Sequence, residues 1–129
     1  MSVALRSESG KMTATAGLKG QPLGYGTNYK DLVLAAATTT IPVGVASQDA
    51  AQNAQIGFWL PGQTVTGLAG AAITKGVLCV AATGGKFIAG TKGGTQTQTD
   101  YVWGSSFSAA GADLDYFELA FNWFEMEVT

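Results

Sequence analysis

The chain has 129 residues, room for one domain with one modest core. Its 47% hydrophobic content includes 20 alanines, so large apolar side chains are sparse and the core is thin. Charged residues make up 12% and the net charge is −2, against roughly 25% charged in ordinary soluble domains. Arg6, Lys11, Lys19, Lys30, Lys75, Lys86 and Lys92 are scattered singly. No cluster of them can neutralise several phosphates at once, which excludes nucleic acid and an anionic membrane surface as partners.

Residues 1–29 read as an extended N-terminal arm, because Gly10, Gly17, Gly20, Gly24 and Gly26, with Pro22, interrupt any helix. Leu18, Leu23, Tyr25 and Tyr29 give that arm something to bury against a partner. The N-terminus lacks the continuous apolar stretch of a signal peptide. Residues 50–74 carry no charge, but Gln52, Asn53, Gln55, Pro61 and Gln63 exclude a membrane-spanning helix. A soluble, reducing compartment is expected.

From residue 30 to 129 the pattern predicts a single all-β domain, a small compact barrel or sandwich of short strands. Asp31–Thr38 is the first, and Pro42 opens a second, Val43–Ala46. Asn53 suits a left-handed turn position. Ile56–Leu60 ends at Pro61-Gly62, and Gln63–Leu68 continues beyond that turn. Val77–Ala81 and Phe87–Ala89 flank Gly84-Gly85, a strong hairpin signal. Residues 90–100 read as a polar loop, and Tyr101-Val102-Trp103 with Phe107 as a further strand region. Val43–Ala46, Ala50-Ala51 and Phe58 weakly echo Val102–Ser105, Ala109-Ala110 and Phe117.

The C-terminus alternates most clearly. Phe117, Leu119, Phe121 and Trp123 share one parity, then the phase changes and Phe124, Met126 and Val128 take the other. Either a β-bulge absorbs the change or the strand leaves its own core for a neighbouring subunit. The second reading makes Phe121, Trp123, Phe124, Met126 and Val128 a candidate subunit interface.

The residues of common catalytic sites are missing. With no histidine in the chain, the usual triad and most zinc sites are excluded. The lone Cys79 lies among apolar neighbours and reads as an inert buried thiol. Asp113 and Asp115 could form a carboxylate dyad or part of a calcium site, but too few oxygen ligands accompany them. The expectation is a protein without catalytic activity, cofactor or metal.

Five stretches in order carry a resemblance: Ile41–Ala46, Asp49–Asn53, Ile56–Gly62, Ala72–Leu78 and Gly85-Lys86. Together they resemble the phage head-decoration, or capsid-cement, proteins, over roughly residues 31–121. The first 30 residues and the last eight lie outside the resemblance. It implies a compact barrel-like domain forming a homotrimer. It also implies the major capsid protein as partner, with a place on the virion's capsid surface after assembly in the host cytoplasm. Two other classes fit the composition. One is a small β-barrel binding a hydrophobic ligand or sugar, since Trp59, Trp103 and Trp123 in a Gly/Thr-rich chain resemble the biotin-binding barrels. The other is a phage tail or baseplate component.

Overall fold

A computed structural model describes residues 7–90 and 99–127, with side chains over 7–90 and 101–122. Every regular element among them is a strand. The first five are β1 (Ser7–Met12), β2 (Pro22–Tyr25), β3 (Asp31–Leu34), β4 (Gly44–Ala46) and β5 (Gln55–Trp59). The second five are β6 (Gln63–Leu68), β7 (Leu78–Ala82), β8 (Lys86–Ala89), β9 (Thr99–Ser106) and β10 (Tyr116–Glu127).

β1 to β5 form a closed barrel in the order β1-β3-β2-β4-β5, with β1 and β3 parallel and the other neighbours antiparallel. A barrel of five short strands is too narrow for a lumen and must fill itself with side chains. Met12, Leu23, Leu32, Ala46, Ile56 and Phe58 do so.

The all-β expectation holds, but the expected arm does not exist as one from residue 7 onward. β1 and β2 are structural staves, and Leu23 is completely buried between them and their neighbours. The glycines that read as helix breakers mark close approaches of backbone to packed side chains. A Cβ on Gly10 would meet Leu32 Cδ1 and the Lys30 carbonyl at 2.7 Å, and one on Gly17 would meet Ile56 Cδ1 at 2.9 Å. Pro22 opens β2, where a strand tolerates a missing donor.

The second sheet, β6-β10-β9-β7-β8, repeats the first strand for strand. Its edges meet at a parallel bridge, Ala69 to Phe87, which matches Met12 to Leu32 in the first barrel. Leu23 pairs with Gly44 as Cys79 pairs with Gly104, and Ala46 pairs with Phe58 as Ser106 pairs with Leu119. The loops follow suit. Gly17 bridges Ala50 as Ile73 bridges Ala110. Gly20 N donates to Ala46 O at 2.8 Å, and Gly76 N to Ser106 O at 2.7 Å. The chain is therefore a tandem duplication of one five-stranded unit. The weak sequence echo pointed to it out of register: the structure aligns Gly44 with Gly104, not Val43 with Val102, and Phe58 with Leu119, not with Phe117.

The two units pack side by side. Ala35 and Val45, with the half-buried Trp59, reach from the first into the core of the second, beside Phe87, Trp103, Phe117, Leu119 and Phe121. Buried Gln21 ties them further, its Oε1 accepting from Leu18 N at 2.7 Å and its Nε2 donating to Gly84 O at 3.4 Å.

The duplication also exposes a local flaw. Asn53 has φ 67° and donates its N–H to Met12 O at 2.7 Å; its counterpart Leu114 has φ 70° and donates to Ala69 O at 2.8 Å. Asparagine accepts a left-handed backbone, whereas leucine does not gladly do so. Leu114 is exposed, so its side chain is lost at little cost. Leu114→Asn should stabilise the protein by about 1 kcal/mol, read as a higher denaturation midpoint with unchanged slope.

Candidate docking surface

The residues expected to act together are separated by the fold. Phe121 is fully buried, stacked on Trp103 at 5.8 Å and 16°. It is core, not interface. Trp123, Phe124 and Met126 lie in β10, but their side chains, like Val128 altogether, lie outside the described residues. The backbone accounts for the phase change without a second subunit. Phe121 pairs with Gly104 and Phe124 with Val102, so Asn122 and Trp123 together oppose Trp103. This bulge brings Phe124 and Met126 onto the same row of the ladder as Leu119 and Phe121.

Of the four residues assigned to the arm, Leu23 is buried and unavailable to any partner. Leu18 is exposed on the turn after Gly17. Tyr25 and Tyr29 are 69% and 90% exposed and stand together at one end of the first barrel. There they flank a cavity of about 280 Å3, lined mostly by apolar surface, with Gly10, Leu32, Val43 and Phe58 in its walls. Glu8, Lys30 and Asp31 are also among its lining residues, and Lys30 Nζ lies 5.8 Å from the centre of the Tyr29 ring. Sequence reasoning found the tyrosines but missed the cavity, because its walls come from all but one of the first barrel's strands and their loops.

Three further exposed apolar residues, not anticipated, lie on the second unit: Phe107, Leu114 and Tyr116, all more than half exposed. At the matching positions the first unit carries Ser47, Asn53 and Gln55. The difference is one of surface chemistry on a shared backbone.

The groups considered for chemistry are engaged elsewhere. Lys86 Nζ donates to Asp113 Oδ1 at 2.7 Å, and Asp115 Oδ2 accepts from Gly111 N at 3.1 Å. The two carboxylates therefore face different partners. No three His, Cys, Asp or Glu residues gather into a metal-binding group among the described residues.

Cys79 is fully buried, and that burial pushes its thiol from 9.0 up to about 12, a hydrogen bond with Ser106 pulling only weakly the other way. The folded value lies above the unfolded one, so rising pH strips the proton from the unfolded chain first. The contribution of the neutral thiol is thus lost as pH climbs from about 9 towards about 12. Near neutral pH, Cys79 should resist a thiol reagent until the protein is denatured, and Cys79→Ala should flatten the alkaline fall in stability.

These features define an all-β protein: a closed five-stranded barrel, followed by a second five-stranded sheet of matching strand order, with exposed apolar residues on both units. Among solved structures, the chain is similar to the head fiber gp8.5 N base of bacteriophage phi29. The TM-score is 0.68 at 17% identity, over 92% of this chain and 95% of that one. No family model and no curated protein matches the sequence.

Proposed function

We propose that the protein is a non-enzymatic structural component of a tailed-phage head, a homotrimer that binds the outer face of the shell and stabilises it. The observation that carries this reading is the likeness of fold, over nearly the whole of both chains, to the base of a phage head fiber. The resemblance of residues 31–121 to capsid-cement proteins supports it independently of the coordinates. So does the surface, low in charge and bearing Tyr25, Tyr29, Phe107 and Tyr116 in the open. Exposed aromatics of this kind fit a protein that works against other protein.

In this reading the major capsid protein is the partner, and threefold assembly multiplies weak contacts into firm attachment. Binding only to the assembled shell then stabilises the shell by mass action. The test is sedimentation of purified protein with empty shells built from the capsid protein encoded alongside it. Saturable co-sedimentation, with a rise in the temperature at which the shells rupture, is expected. Protein left wholly in the supernatant at every concentration would exclude the reading.

A further inference from the structure

The two units share a strand order and register but fill their ends differently. At matched register positions the second unit carries Phe87, Trp103, Phe117 and Phe121 where the first carries Leu32, Val43, Ile56 and Leu60. In the second unit the four aromatic side chains are all buried. Phe87 meets Trp103 edge-on at 5.6 Å and Phe117 at 6.0 Å. In the first unit smaller residues stand there, and two of them, Leu32 and Val43, line the cavity of about 280 Å3 that is left open at the tyrosine rim. Gly10 deepens it, since any side chain there would strike Leu32. At two other matched positions the first unit has the larger residue, Met12 against Ala69 and Phe58 against Leu119, so its centre is filled and the open space lies at the tyrosine end.

Elsewhere the chain displays an aromatic that lacks cover. Phe107 is 62% exposed, although phenylalanine has no polar tip to offer water. Its counterpart in the first unit is Ser47. An open apolar socket and an exposed phenylalanine are each unfavourable in water, and one contact would relieve both.

We propose that Phe107 of one copy inserts into the first-barrel cavity of another, between Tyr25 and Tyr29 and over Leu32 and Val43. The inserted ring takes the place that Phe87 and Trp103 occupy in the second barrel. Because knob and socket are different surfaces, the contact is heterologous, and it generates a ring when the rotation closes. This inference rests on the homotrimer reading and adds the residues that make it.

The experiment uses the full chain. Val43→Trp and, separately, Leu32→Phe fill the socket with the residue types the second barrel carries there, and Phe107→Ser removes the knob. Circular dichroism and a thermal melt establish that each variant is folded. In light scattering each variant should fall to monomer mass. A socket-filled variant still has its knob, and Phe107→Ser still has its socket. Their equimolar mixture should therefore give a one-to-one dimer that neither forms alone. A trimeric wild type with folded variants of unchanged mass would overturn the contact and leave the trimer standing. A wild type that stays monomeric at high concentration would overturn both. Shell binding, measured separately, bears on neither result.

Discussion

Deleting residues 1–24 should abolish the folded state. The cut removes β1 and nearly all of β2, two of the five staves of the first barrel. It breaks the parallel β1–β3 pairing and the antiparallel pairings of β1 with β5 and of β2 with β3 and β4. Met12 and Leu23 leave the core entirely, and the ladder edges of β3, β4 and β5 are laid bare. Removing one large core side chain costs about 2–5 kcal/mol, and a whole domain is stable by only about 5–15 kcal/mol. The second unit would not be spared, since Ala35, Val45 and Trp59 form part of its core. The expected observation is loss of the cooperative unfolding transition. A truncated chain with a normal melt would mean that these residues are an appendage after all.

Gly104→Ala should be nearly as severe. Gly104 has φ 150°, a conformation open to glycine and strained for any other residue. An added Cβ would also run into the Ala120 carbonyl oxygen across the ladder. Backbone on both sides fixes that collision: Gly104 pairs with Cys79 and with Phe121, next to the bulge. The cost is expected to exceed about 3 kcal/mol, at the upper end for a single substitution. The counterpart Gly44 makes the same kind of approach, its Cβ position lying 2.8 Å from the Trp59 carbonyl oxygen, but without a positive φ. Gly44→Ala should therefore destabilise less, and denaturation midpoints of the two variants give the comparison directly.

The part of this fold that the sequence discloses is the part set by neighbouring residues. Gly84 and Gly85 adopt positive φ in the β7–β8 hairpin, Asn53 adopts it in its turn, and Pro61-Gly62 separates β5 from β6. Each is a local backbone requirement that leaves a residue-level trace. β1 and β2 leave no such trace. β1 is SESGKM, with Met12 its sole large apolar side chain, and it becomes a strand through partners about 20 and 45 residues away. The C-terminal phase change was legible, and the bulge opposite Trp103 is one of the two outcomes it allowed.

The duplication was nearly hidden because few counterparts are identical; Gly20 and Gly76, Gly44 and Gly104, and Ala50 and Ala110 are among those that are. A turn and loops of unequal length then change the offset between the units. Residues at the same backbone position can differ as much as Val43 and Trp103 do. For the same reason the docking surface could not be read from one copy alone. The cavity is assembled from residues spread between Glu8 and Phe58, which no local reading of the chain joins.

The head-surface account is tested most directly by cryo-electron microscopy of shells incubated with the purified protein. Expected is added density on the outer face at local threefold positions, into which three copies of the tandem barrel fit. Shells bare at saturating protein, or density confined to the tail, would contradict it.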